Sequence, residues 1–340
     1  MTSASTAALA YNAPWPAGPP GWNPLLLGSP SQSRNPIVPL AGLSRFFVTT
    51  QDGRVHAVDN RTGALDWSRL LAPTPIIGAA AGIFTAFGGQ HDAVFAGTSA
   101  ADDNVLHALD PTTGSPLASF GPPGNPGIGP ILGMPAIDYS TSPQRVYFAS
   151  RRGTAAETLW CVELGPPGPI AFTLRWKVDV GNVSGSVVLR NGRIYVGNDL
   201  GQVHSVRASD GGNIVTATLG DGPVRGFVFP DRASSDVYVS TDTSVFQLRD
   251  NVTNWITVWA VPVPNPSTPL FWPGTRYVYV GGGDGQLHQL DVVAQTHKTL
   301  ALDYDPGLFV VGAPSLDAGF GMLHVGSVRG TFYGVRVPLP

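Results

Sequence analysis

Short apolar runs alternate with polar residues along most of this chain, and Gly, Pro, Asn and Asp interrupt them at close intervals. Val55-His56-Ala57-Val58 shows the period of two that belongs to β-strands, and no stretch repeats apolar residues every three or four positions as a helical array would. One phrase recurs. It reads RFFVTTQDGRVHAVDNRTGALDW at 45–67, RIYVGNDLGQVHSVR at 193–207 and RYVYVGGGDGQLHQLD at 276–291, with weaker copies at 93–114, 145–163, 237–249 and 322–336. The residues closing its second strand are Asp59, Asp110, Glu163, Arg207, Arg249, Asp291 and Arg336, at spacings of 51, 53, 44, 42, 42 and 45.

A period near 42–45 made of strands is that of one four-stranded propeller blade. Each unit begins with a small or apolar strand such as Gly185-Ser186-Val187-Val188-Leu189, and a second strand such as Arg193-Ile194-Tyr195-Val196-Gly197 follows. A tight turn of the Asp52-Gly53 kind supplies the positive φ of a hairpin. A third strand, a turn such as Arg61-Thr62-Gly63 and an outer strand carrying Trp67 or Trp176 complete the unit. The prediction is an all-β, seven-bladed β-propeller of four-stranded antiparallel blades, spanning 20–340 as one domain behind an extended Pro-rich arm at 1–19. The seventh unit lacks an outer strand after Val337. Trp22-Asn23-Pro24-Leu25-Leu26-Leu27-Gly28, spaced like Trp67-Ser68-Arg69-Leu70-Leu71, is expected to supply it from the N-terminal side and so cap an open edge.

VHAVDNRTGALDW and LHALDPTTG, at 55–67 and 106–114, resemble the blade repeat of the pyrroloquinoline-quinone enzyme superfamily, over roughly residues 20–340. That resemblance implies the fold and leaves two kinds of function open, quinoprotein dehydrogenases and cofactor-free propellers that act as protein-binding scaffolds. The dehydrogenases hold their quinone against a vicinal cysteine pair and bind calcium through a carboxylate and amide cluster beside a catalytic Asp. Here Cys161 is the only cysteine, two Asp positions of the repeat are Arg207 and Arg249, and no comparable cluster is visible. The expectation is a scaffold without bound quinone, calcium or other cofactor.

Composition narrows the partner. Twenty basic against 23 acidic residues give a net charge of -3, without the basic stripe of a nucleic-acid binder. No run reaches the roughly 18 apolar residues of a membrane helix, and Met-Thr-Ser-Ala-Ser-Thr shows no export signal. The resemblance implies a bacterial, extracytoplasmic protein and the visible N-terminus a cytoplasmic one; the first is taken as the expectation.

His56, His107, His204 and His288 share the second position of the third strand in four units. Imidazole is a common metal ligand, but Trp160, Phe246 and Tyr333 fill the slot elsewhere, so an aromatic-sized structural position is expected. Asp52-Gly53, Asn198-Asp199 and Gly282-Gly283-Asp284-Gly285 lack the alternating oxygens and closing Glu of an EF-hand and read as turns. The sequons at Asn182 and Asn251 are no more than chance would place in a chain so rich in Ser and Thr. Departures from the repeat carry more. Extra residues fall at 81–90, in the Pro-rich stretch 121–130 and at 261–274. With the aromatic arm they nominate Tyr11, Trp15, Pro122, Pro123, Pro126, Phe271 and Trp272 as partner-binding residues, since loops on a rigid frame carry binding and preset Pro conformations lower its ordering cost. The alternative is a lyase or hydrolase using polar groups at the axial pocket.

Overall fold

The computed structural model describes residues 9–14, 38–40, 45–50, 52–59, 64–72, 76–82, 93–165, 171–302, 311–327 and 331–340. Among these there is no helix, and the strands form seven four-stranded antiparallel sheets. They lie in two compact units, Pro20–Leu200 with His204–Ile214, and Met1–Pro19 with Gly201–Val203 and Val215–Pro340. In six sheets the strands pair in chain order, as in Ala136–Asp138, Arg145–Ala149, Leu159–Leu164 and Phe172–Val178.

Alternation along the central strands feeds the cores on both faces of a sheet. In the third sheet Val146, Phe148, Trp160 and Val162 point into a cluster with Phe95, Leu106 and Ile128. Their neighbours Tyr147, Ala149, Leu159 and Cys161 join Ile194, Val196 and Val206 on the other side. Leu159–Leu164 is buried throughout, whereas the outer strand Leu65–Leu70 is exposed at nearly every position. Fully burying side chains of this kind contributes about 1.5–3 kcal/mol each.

The turn glycine and outer-strand Trp of the repeat belong together physically. Gly114 and Gly211, at φ +70° and +73°, lie against Trp67 and Trp176, where a Cβ would come within 2.7 Å of the ring in each case. The indoles donate across to Pro111 and Ala208 carbonyls at 3.1 and 3.0 Å. The segments leading into the first strands approach even more closely: a Cβ on Gly133 would stand 1.8 Å from the Gly185 carbonyl oxygen, while one on Gly124 meets nothing within 4 Å. Gly133→Ala should therefore cost about 1–3 kcal/mol through forced backbone displacement, and Gly124→Ala almost nothing. Thermal melts of the two variants check this, and equal midpoints would remove the packing argument.

An N-terminal strand does complete the last sheet, but it is not the predicted one. Leu9–Pro14 pairs with Thr331–Arg336, with Leu9 opposite Val335, Tyr11 opposite Gly334 and Pro14 opposite Thr331. The outer place is filled by this segment, and residues 22–28 lie outside the described residues. An outer strand has one solvent-facing edge and few buried side chains, so a Trp-and-Leu composition does not identify it.

Candidate partner-binding surface

In each sheet the turn between second and third strands lies at the same end as the exit of the fourth, a consequence of antiparallel order. At this end of the second and third sheets the stretch 121–130 is both displayed and anchored. Pro122, Pro123, Gly124 and Pro126 are exposed, while Gly127, Ile128 and Gly129 are buried. Asn104 donates to the Ile128 carbonyl from its backbone N–H at 2.9 Å and from its side-chain amide at 3.0 Å. Gly127 donates to Asp103 Oδ1 at 2.9 Å and accepts from the Ala155 N–H at 3.1 Å. The Pro130 carbonyl accepts from Arg151 at 2.8 Å, and Ile128 bridges Arg152 in antiparallel fashion. Gly129 admits no side chain, because a Cβ there would come within 2.2 Å of the Arg151 carbonyl oxygen. The prolines thus stand on a fixed base.

Neighbouring turns continue the same network. The Arg152 backbone N–H donates to Asn182 Oδ1 at 2.8 Å, its guanidinium pairs with Asp179 at 2.5 Å, and Arg151 pairs with Asp199 at 3.0 Å. Burial alone would raise the Asp179 carboxyl, but the Gly181 N–H and Arg152 hold it below its usual range. With Lys177 on Glu157 at 3.3 Å, each of these cations is paired with a carboxylate, while Asp102 and Asp103 accept backbone N–H groups instead.

Three of the four histidines are tied down within their own sheets, and His288 also meets His297 Nε2 through its Nδ1 at 2.8 Å. His56 Nε2 meets Thr50 Oγ1, His204 Nε2 meets the Asn198 amide and His288 Nε2 meets Asp284 Oδ1, all at 3.1 Å. Trp160 Nε1 donates to Ser150 Oγ at 3.1 Å from the same slot. In these four sheets the slot holds an aromatic-sized ring whose nitrogen reaches back to the preceding turn and latches it, whereas the Tyr333 hydroxyl donates to the Leu302 carbonyl at 2.8 Å. Burial lowers all four imidazoles, and those of His107 and His204 fall to about 4. Among the described residues no group of three or more His, Cys, Asp and Glu is placed to hold a metal ion.

Other nominated residues are scattered. Phe271 is buried, stacked on Tyr238 at 5.1 Å within the core of the fifth and sixth sheets. It forms the two-residue first strand Leu270–Phe271, too short to be told from a loop by its pattern. Trp272 follows it in a turn, half-buried against the core of the last sheet. Tyr11 belongs to the closing strand, so residues 9–14 lie along the chain's own sheet, and Trp15 falls outside the described residues. Exposed apolar residues at turn tips, Phe320, Val293 and Val252, escaped the sequence reading. Their signal was present: each stands two or three residues after an Asp whose carboxylate caps the turn, Asp317, Asp291 or Asp250.

The family model described as outer membrane protein assembly factor BamB matches residues 22–166 and 156–295. No curated protein matches the chain. Among solved structures, BamB from Moraxella catarrhalis aligns with 15% identity over 86% of this chain and 82% of its own, at a TM-score of 0.62. Sqt1 from Saccharomyces cerevisiae gives 11% identity, 87% and 82% coverage and a TM-score of 0.63. The β-propeller domain of Cps50 (Swd1) from Myceliophteria thermophila gives 9%, 87%, 93% and 0.58. At these identities the likeness is one of fold, the β-propeller.

Proposed function

From the premise that this chain belongs to the family described as outer membrane protein assembly factor BamB, we propose that it is a non-catalytic propeller scaffold holding a protein partner within a larger assembly. The observation that carries this reading is the loop 121–130, whose Pro122, Pro123 and Pro126 are presented to solvent on a base fixed by backbone and side-chain hydrogen bonds. A preorganised loop loses little conformational freedom on contact, so its buried area converts efficiently into affinity. Its surroundings, where every nearby cation is already paired with a carboxylate, suit a broad protein contact rather than a polyanion. Tyr11, Trp15 and Trp272 are proposed as contacts of their own. The same reading takes residues 20–340 as one seven-bladed ring behind the arm at 1–19. The family description supports an extracytoplasmic, bacterial setting. Among the described residues no helix is long and apolar enough to cross a membrane.

Replacing Pro122, Pro123 and Pro126 together by Gly, with 127–130 intact, tests the proposal in the native cell. Tagged wild-type protein should retain a stoichiometric protein partner, and the variant should lose it at least tenfold, about 1.4 kcal/mol, while melting no more than about 5 °C lower, the loss expected from three Pro→Gly exchanges. Equal retention by both proteins, or no partner on either, would overturn the reading.

A further inference from the structure

The other end of the last three sheets, where first strands turn into second and third into fourth, carries a different surface. Phe320 is 82% exposed, Val293 72% and Val252 49%, at the tips of turns in the seventh, sixth and fifth sheets. These sheets pack face to face in order, through Tyr238, Phe271 and Val278 and then through Tyr279, Leu323 and Val335. Trp272 joins them: a Cβ on Gly321 would stand 4.0 Å from its ring. Val252 and Val293 stand in the turns between third and fourth strands and Phe320 in the turn between first and second, all at one end of three consecutive sheets. Single exposed apolar residues are ordinary, but three gathered at that end are not.

The charges around them are layered. Asp231, Asp236, Asp250 and Asp291 are buried beneath the tips. Asp250 Oδ1 accepts the Val252 N–H at 2.7 Å, and Asp291 Oδ1 accepts from Val293 and Ala294 at 3.2 and 2.9 Å. The arginines lie outside. Arg232 and Arg336 are exposed, while Arg249 and Arg276, about half exposed, reach inward to Asp236 and Asp291 at 2.7 and 2.8 Å. Carboxylates and cations nearly balance in number, so there is no strong long-range field to draw a lipid bilayer. What faces outward at short range is guanidinium N–H donors beside apolar and aromatic side chains, with each carboxylate occupied by a turn or by an arginine. That composition is typical of protein interface centres.

We propose that this face binds an acidic amphipathic protein segment: an apolar anchor packs on Phe320, Val293 and Trp272 while its flanking carboxylates take the free N–H groups of Arg276 and Arg336. A guanidinium already holding one carboxylate has donors left for a second. The site is separate from the loop at 121–130, so either proposal stands if the other fails.

The probe is a fluorescent twelve-residue peptide with a central Phe-Leu pair flanked by Glu, titrated into the full chain beside versions with Gln or Lys in place of Glu. Anisotropy should show the Glu peptide binding at least tenfold tighter than the Gln peptide, with the Lys peptide not binding. Phe320→Ser and the double variant Arg276→Gln, Arg336→Gln should each weaken the Glu peptide at least fivefold, while the triple Pro→Gly loop variant leaves it unchanged. Because Phe320 is so exposed, its substitution leaves the melting temperature in place. No binding of the Glu peptide, equal binding of all three peptides, or equal binding by Phe320→Ser would overturn the proposal. So would Phe320-dependent self-association of the chain, or preferential Phe320-dependent binding to phosphatidylserine vesicles.

Discussion

A chain lacking residues 1–14 is expected to melt roughly 5–10 °C below the intact protein and to aggregate on standing, while one lacking residues 1–8 melts as the intact protein does. Leu9–Pro14 pairs with Thr331–Arg336 across five register positions. Backbone hydrogen bonds of this kind contribute about 0.5–1.5 kcal/mol each. Spread over an entropy of unfolding near 2 cal/mol/K per residue, a loss of some 5 kcal/mol gives that shift for a chain of this length. Its removal also bares the backbone groups of Thr331–Arg336, an open edge that a neighbouring chain can pair with. Differential scanning calorimetry and light scattering on the two truncations read both effects. A synthetic peptide of residues 8–15 should recover part of the lost stability in trans. Should both truncations melt alike, the strand is an ornament and not a closure.

Stability should also fall steeply between pH 6.5 and pH 4. Burial, assisted by Arg69, lowers His107 to about 4; burial lowers His204 to about 4 against the opposing pull of Asp179. His56 and His288 are lowered as well, again by burial first. Between the folded and unfolded values the unfolded chain binds protons that the folded chain refuses, so stability rises with pH through this window and is flat above it. Each of His107 and His204 contributes on the order of 3 kcal/mol across the window, at about 1.4 kcal/mol per pKa unit. Asp179 and Asp221, whose carboxyls are held low, lose their contribution only as the pH drops further, through their own folded values. Melting curves from pH 8 to pH 4 on the wild type and on His107→Gln, His204→Gln should show a shallower slope for the variant. Parallel slopes would mean the imidazoles do not control the acid limb.

The repeat was legible because two demands coincide in each unit: a buried alternating strand and a turn requiring positive φ. The histidine slot was legible for a related reason. Its occupants share size, and the structure adds that Trp160 and His204 also share a nitrogen that reaches the turn before them. Outer and first strands were hard to place. Leu65–Leu70 is exposed almost throughout, so its side chains place little constraint on composition, and the closing strand LAYNAP reads as part of an arm. First strands such as Leu270–Phe271 and Phe229–Pro230 are only two residues long, which is why Phe271 looked like a loop residue and proved to be core. The anchoring of 121–130 depends on Asn104, Asp103 and Ala155, contacts that no local pattern announces.

The partnership of Leu9–Pro14 with Thr331–Arg336 also sets an order of events on the ribosome. The closing strand emerges more than three hundred residues ahead of its partner. At about 5–20 residues per second, it stays unpaired for tens of seconds while the sheets between are made. A segment under that regime is best kept short and weakly β-forming, and Leu-Ala-Tyr-Asn-Ala-Pro, which ends in a proline and contains no β-branched residue, answers that description. Its weak intrinsic preference for strand is then a safeguard during synthesis, and only the finished edge of Thr331–Arg336 makes a strand of it.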